Sequence, residues 1–350
     1  MLKVGIVGLP NAGKSTLFNA LVEKPKARVA THPFTTIEKN VGTVNVPDDI
    51  LFKLSTLENI SKVTPTTITF IDIAGLIKGA HQGEGLGNQF LHHIREVDLV
   101  LHVLRFFDDL NTPHVHQKID PDEDLKIVNE ELILADLELL EKRLKKEKKI
   151  DLKEKKIIER LIKELDQGKM VLEISLDEEE KKIVSLLNLL TAKKQIIVAN
   201  IAEDDLTSPP KMVDGERVIS IAAKFEAELN DLPWVEQKKV LRDLGLKDTA
   251  KGQLIKQCYQ NLDLITFYTI AKKTEARAWP IKRGTKAIEA AGRVHTDFAK
   301  HFVKVEVILA SQLLEIGGWE KAKKQGKIIL QGKDYQINDS DVLEFKVAIK

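Results

Sequence analysis

Residues 8–15 read Gly-Leu-Pro-Asn-Ala-Gly-Lys-Ser, the residue types and spacing of a loop that wraps phosphate. Glycines at 8 and 13 let the backbone turn successive N–H groups inward, where a phosphate also meets the positive end of the following helix. Lys14 is expected to reach the β- and γ-phosphates as a catalytic cation and the Ser15 hydroxyl to ligate Mg²⁺, with Asn11, Ala12, Gly13 and Thr16 completing the nucleotide contact. Asp72-Ile73-Ala74-Gly75 closes a strand-like run in the form Asp-x-x-Gly. Asp72 would hold the Mg²⁺ shell through water, and the Gly75 amide would meet the γ-phosphate. Thr35 and Thr36 follow Pro33-Phe34, where a threonine hydroxyl can complete Mg²⁺ coordination while the γ-phosphate is present. Thr36 is the preferred candidate; ordinary turn or strand threonines are the alternative. The chemistry implied is nucleoside triphosphate hydrolysis.

That reaction needs a positioned water. Leu76 stands where a Ras-like enzyme carries glutamine, so another group must orient the water or turnover must be very slow. The stretch 75–87 holds five glycines and carries His81, Gln82 and Glu84. His114, in the loop 111–116, is the further catalytic candidate, set against the ordinary reading of a surface or structural histidine. The Asn11 amide oxygen could help hold K⁺, whose charge would replace that of an arginine finger.

A GTPase of this layout reads guanine with Asn-Lys-x-Asp, the aspartate accepting from N1–H and N2–H₂ together. Residues 200–203 instead read Asn-Ile-Ala-Glu. Glu203 carries its carboxylate one methylene further out, which strains that paired contact, whereas Asn200 and the backbone around Ile201 suit adenine. Ile201 replaces a lysine whose stem covers the base, and the Ala223 amide, after the run 218–221, is placed to meet the purine. A flexible glutamate that still serves guanine, giving mixed specificity, is the alternative.

The elements that must position these groups are legible as apolar runs. Strand-like stretches at 2–7, 41–46, 67–73, 99–104, 195–199 and 218–221 alternate with helical segments, which predicts an α/β fold: a P-loop domain with a parallel-rich sheet covered on both faces. From 124 to 190 there is no proline and one glycine, Gly168. Leu125, Val128, Leu132, Ala135 and Leu139, then Ile157, Leu161 and Leu165, recur at helical spacing, predicting an inserted coiled-coil-like hairpin with its turn near 149–152. Its Lys-rich stretch 142–156 reads as a solvated face or an RNA contact. In the tail, runs at 264–270, 303–309, 327–330 and 342–347 between Gly- and Asp-containing turns predict a separate α+β domain. Its lysines, among them Lys321, Lys323, Lys324, Lys327 and Lys333, read either way as well. The expected organisation is 1–123 with 191–262 for the nucleotide-binding domain, 124–190 for the helical arm and 263–350 for the tail domain.

Composition bounds the rest. With 43% apolar residues, 31% charged residues and a net charge of +1, there is no global pull toward nucleic acid or membrane. No apolar stretch approaches membrane-spanning length, and the single cysteine, Cys258, excludes an internal disulfide and fits a reducing cytoplasm. The chain is expected to be a cytoplasmic monomer with no membrane partner.

Over essentially its whole length the sequence resembles the Obg-like ATPases, the YchF subfamily of translation-factor-related P-loop proteins. The likeness is carried by residues 8–16, Pro33-Phe34-Thr35-Thr36-Ile37-Glu38, 72–76 with Lys78-Gly79-Ala80, Gly83-Glu84-Gly85-Leu86-Gly87-Asn88 and Asn129-Glu130-Glu131-Leu132. It continues through Leu190-Thr191-Ala192-Lys193, Asn200 to Glu203, Arg277-Ala278-Trp279, His295-Thr296-Asp297-Phe298 and Gly332-Lys333-Asp334-Tyr335. The resemblance implies an ATPase domain, an inserted helical arm and a C-terminal TGS domain. It also implies preference for ATP over GTP, association with the ribosome (large subunit or 70S), and an apolar residue in place of the catalytic glutamine, matching Leu76 and leaving a histidine such as His114. The expected function is a Mg²⁺-dependent ATPase whose ATP- and ADP-bound states differ in affinity for the ribosome. An Obg-type GTPase, and a nucleotide-gated ribosome- or RNA-binding scaffold with incidental hydrolysis, are the alternatives.

Overall fold

The computed structural model describes residues 2–22, 40–73, 86–109, 112–146, 151–246, 248–271 and 274–348, apart from the side chains of 86–89, 146, 234 and 271. In chain order these form β1 (Leu2–Val7), α1 (Lys14–Leu21), β2 (Asn40–Asn45), α2 (Asp49–Leu57), β3 (Val63–Thr64), β4 (Thr67–Asp72), α3 (Leu86–Arg95), β5 (Leu99–Arg105) and α4 (Pro121–Lys146). There follow α5 (Leu152–Asp166), α6 (Glu178–Leu187), β6 (Lys194–Asn200), β7 (Met212–Val213), β8 (Glu216–Ile221), α7 (Ala223–Leu229), α8 (Trp234–Asp243) and α9 (Ala250–Asn261). The chain ends with β9 (Leu264–Ala271), β10 (Glu275–Lys282), α10 (Ala287–Val294), α11 (Thr296–Lys300), β11 (Phe302–Leu309), α12 (Ala310–Ile316), α13 (Trp319–Lys324), β12 (Ile329–Gln331) and β13 (Asp341–Val347).

The strands make a seven-stranded sheet in the order β2-β4-β1-β5-β6-β8-β7 and a six-stranded sheet in the order β12-β11-β13-β9-β10-β3. In the first, β1, β5, β6 and β8 run parallel, and the two-residue β7 is antiparallel at the edge. β5 is buried at every position, as a central parallel strand covered on both faces must be. This sheet is the one read from the apolar runs.

The helical insertion changes partners along α4. Ile127, Val128, Leu132 and Ala135 pack with sheet residues Val7, Ile71 and Val100, whereas Ile133 and Leu140 join Ile158, Leu161 and Leu165 of α5 and Val184 and Leu187 of α6. Asp136, on the same helix and fully buried, accepts the backbone N–H groups of Leu190 and Thr191 at 3.0 and 2.8 Å and the Thr191 hydroxyl at 2.8 Å. On the outside, Lys142, Lys145, Lys153 and Lys155 pair with Glu138, Glu141, Glu179 and Glu159, so much of the lysine charge is offset locally.

The chain divides into two compact units, Met1–Val44 with Thr69–Leu254 and Asn45–Ile68 with Ile255–Lys350. The apolar pattern assigns 45–68 to the nucleotide-binding part, but in the structure it joins the C-terminal unit. Leu51, Leu54 and Ile60 pack with Tyr268, Ala276, Ile308, Leu313 and Trp319, and β3 extends the sheet beside β10. Glu58 accepts the Trp319 N–H at 2.6 Å, and Asp48 accepts the Tyr268 hydroxyl at 3.1 Å. β10 itself is absent from the predicted strands. Its Glu-Ala-Arg-Ala-Trp-Pro-Ile-Lys has a proline that removes a ladder donor, and Pro280 is accommodated beyond the residues that β3 pairs, Ala276 and Arg277. Among the described residues no helix is long and apolar enough to cross a membrane.

Candidate active site

The phosphate loop follows β1 and turns into α1. Gly8 adopts φ 149°, and a Cβ there would lie 2.4 Å from the Val103 carbonyl oxygen of β5. Gly13 caps α1 with φ 88°, and a Cβ would lie 2.1 Å from Asn200 Nδ2. Both positions therefore require glycine. Asn11 is left-handed at φ 66°, a conformation asparagine tolerates, and its Nδ2 donates to the Pro113 carbonyl at 3.0 Å. Ala12 is buried and Thr16 exposed.

The Lys14 ammonium donates to the Leu9 carbonyl at 2.7 Å and is 8% exposed. Burial pushes its pKa down to about 8, with the Asp72 charge pulling the other way. The Ser15 hydroxyl donates to Asp72 Oδ2 at 2.7 Å, and Asn40 Nδ2 approaches the same oxygen at 3.4 Å. The two groups expected around Mg²⁺ are thus brought together. They are hard oxygen donors, the kind Mg²⁺ takes when phosphates and water supply the rest of its shell. Among the described residues no group of three or more His, Cys, Asp or Glu could by itself hold a metal ion. Thr35, Thr36, Gly75, Leu76, His81, Gln82 and Glu84 lie outside the described residues.

Asn200 ends β6 at 4% exposure with both ends of its amide engaged. Nδ2 donates to the Ala12 carbonyl at 3.0 Å, and Oδ1 accepts the Ala223 N–H at 3.2 Å. It braces the phosphate loop against the loop that opens α7. Ile201 is 5% exposed and packs with Ala199, Ala222, Phe225, Leu229 and Leu241, so its side chain belongs to the core beneath the loop. Glu203 is exposed and opens a short 3₁₀ turn, Glu203–Thr207.

His114 is 8% exposed. Its Nε2 lies 2.9 Å from Asp124 Oδ2, and its Nδ1 accepts the His116 N–H at 3.2 Å. The bond from Asn11 to Pro113 ties this segment to the phosphate loop one residue away. Sequence reasoning missed Asp124; the only available signal was an acidic residue in the first turn of α4, ten positions past His114. It also missed Phe107, whose ring edge is 3.7 Å from where a Gly13 Cβ would sit. Arg105, 1% exposed, lies 4.6 Å above that ring and donates to the Phe107 carbonyl at 3.0 Å.

Residues 3–172 match the family described as 50S ribosome-binding GTPase, and residues 264–348 match YchF-GTPase_C, described as a protein of unknown function (DUF933). The protein named Ribosome-binding ATPase YchF in Bacillus subtilis (strain 168) is 43% identical over 366 aligned residues, covering 99% of this chain and all of that protein. Its namesake in Mycoplasma genitalium is 45% identical over 369 residues, covering 100% of each. The structure of the Schizosaccharomyces pombe YchF GTPase matches with a TM-score of 0.85 at 33% identity, covering 99% of this chain and 97% of that one. With the phosphate loop, its serine–aspartate pair and these full-length likenesses in place, the chain belongs to the YchF family of P-loop nucleoside triphosphate hydrolases.

Proposed function

We propose that this protein is a cytoplasmic, Mg²⁺-dependent ATPase that prefers ATP to GTP and works as a nucleotide-dependent switch on the ribosome. The observation that carries the base preference is the clamped Asn200 followed by an exposed glutamate. Asn200 is fixed between Ala12 and Ala223, and three positions on, where guanine recognition uses aspartate, stands the exposed Glu203, one methylene longer. Ser15 and Asp72 would hold Mg²⁺, which when bound neutralises charge on the phosphates. Lys14 would leave the Leu9 carbonyl for the β- and γ-phosphates, and Asn11 is the candidate holder of K⁺. Thr36 and Gly75 keep their proposed contacts to Mg²⁺ and γ-phosphate. His114 would orient the attacking water, a role supported by the tie between its loop and Asn11. Ribosome association is inferred from the likeness to the ribosome-binding ATPases of Bacillus subtilis and Mycoplasma genitalium, and the C-terminal unit is proposed as the TGS domain.

Equilibrium competition between ATP and GTP, with hydrolysis of each measured with and without ribosomes, tests the reading. Tighter binding of ATP and ribosome-dependent turnover are expected. Tighter binding of GTP would overturn the base assignment in favour of an Obg-type GTPase. Undetectable turnover on saturating ribosomes with K⁺ present would replace the enzyme with a nucleotide-gated scaffold.

A further inference from the structure

Both nitrogens of His114 face protein groups. Because Nδ1 accepts the His116 N–H, the neutral ring carries its proton on Nε2 and donates it to Asp124. The two side chains are each 4% exposed. A histidine that orients or deprotonates water must present a ring nitrogen to it at about 3 Å, and this ring presents neither. Its loop is nonetheless in place, since the Pro113 carbonyl accepts from Asn11 of the phosphate loop at 3.0 Å. What holds the ring back is therefore local to Asp124 and the His116 amide.

Asp124 lies in the first turn of α4, and the same helix supplies Ile133 and Leu140 to the core of the arm. α4 therefore runs from the Asp124 carboxylate past the sheet contacts of Ile127, Val128 and Leu132 into the arm, which joins the two directly. Burial pushes that carboxyl's pKa up, and the hydrogen bond from His114 opposes the rise, which marks the imidazole as its main compensating partner. We propose that Asp124 is a positioning residue acting through His114: a latch that keeps the imidazole from the attacking water until α4 shifts and the contact opens. This rests on the reading of His114 as the group that orients that water.

The test is steady-state ATP hydrolysis by the full chain with Mg²⁺ and K⁺ and without ribosomes. It compares wild type, Asp124→Asn, Asp124→Ala, His114→Ala and the double variant Asp124→Ala/His114→Ala, with ATP affinity measured on each. Opening the latch is expected to raise kcat about tenfold in Asp124→Ala and less in Asp124→Asn, with KM and ATP affinity unchanged. The gain should vanish in the double variant. Asp124→Asn keeps an oxygen that can still accept from Nε2, so the test rests on Asp124→Ala, with Asp124→Leu in its place if that variant does not fold. An Asp124→Ala or Asp124→Leu protein that binds ATP normally but turns over at or below the wild-type rate overturns the latch. If His114→Ala is inactive while the Asp124 variants stay at wild-type rate, the latch alone fails. Wild-type turnover by His114→Ala removes the water-orienting reading and the latch together.

Discussion

Lys14 is the residue where burial and chemistry pull hardest against each other. With its pKa pushed down to about 8, the ammonium is partly neutral there in the free protein, whereas the proposed contact with a triphosphate needs it charged. Bound phosphates favour the protonated form, so binding takes up a proton near pH 8 and ATP affinity falls as pH rises through that value. Calorimetric titration in two buffers of different ionisation enthalpy should show greater uptake at pH 8 than at pH 7; equal uptake would contradict the pair of Lys14 and triphosphate. The same shift has a sign for folding. Between about 8 and the ordinary value of 10.5 the unfolded chain holds the extra proton, so the stability cost of burying Lys14 fades as pH climbs through that interval. Asn200 poses a different case, since its amide is committed to two backbone partners rather than to a ligand. Asn200→Ala is expected to cost about 1–3 kcal/mol in ATP binding by loosening both loops, measurable as a fall in affinity of roughly fivefold to a hundredfold. A folded variant with unchanged affinity would reduce the brace to ornament.

At the scale of elements, α4 is the member whose failure should propagate. Asp136 satisfies three donors where the arm returns to the sheet, and Arg95 approaches the same carboxylate at 3.5 Å. Asp136→Ala strands those donors in a buried site, at a cost of about 2–4 kcal/mol. A calorimetric melt should show Tm falling by roughly 5–10 °C, with Asp136→Asn recovering part of that loss because one acceptor survives. Asp136 had no pattern to announce it, because its partners are 54 and 55 residues away. The central parallel strands were legible, since the runs of β1, β5 and β6 are apolar enough to be buried whatever their neighbours. α4 and α5 followed from the helical recurrence of Val128, Leu132, Leu161 and Leu165. β10 was not legible because Glu275, Arg277 and Pro280 mask a strand that depends on pairing with β9 along its whole length. In the site, the loop glycines, Lys14, Ser15 and Asp72 were readable from spacing. The burial of Ile201 and the contact of His114 with Asp124 were not, because both are set by how loops close over the sheet.

The whole molecule is not a string of consecutive domains, and this decides how its parts can be taken apart. The C-terminal unit borrows 45–68 from within the N-terminal half, and the loan includes core. Leu51 and Leu54 are fully buried, Ile60 is 6% exposed, and Glu58 gives its carboxylate to the Trp319 amide. A chain cut after residue 263 keeps α2 but removes Tyr268, Ala276, Ile308, Leu313 and Trp319, the residues that cover it. Each large apolar side chain so uncovered forfeits about 1.5–3 kcal/mol of burial and leaves an adhesive surface. The truncated protein is therefore expected to aggregate or to bind a hydrophobic dye at ambient temperature. Replacing Leu51, Leu54 and Ile60 with polar residues in the same truncation should restore solubility. A soluble, dye-silent truncation without those replacements would mean that α2 does not depend on the C-terminal unit. The same geometry makes tail deletion a poor probe of ribosome contact, because lost sedimentation would confound a missing surface with a damaged fold. Charge reversal at Lys321, Lys323 and Lys327, which are exposed, leaves both cores intact. If the C-terminal unit carries the contact, these reversals should weaken co-sedimentation more at low salt than at high salt, while ATP hydrolysis off the ribosome stays at the wild-type rate.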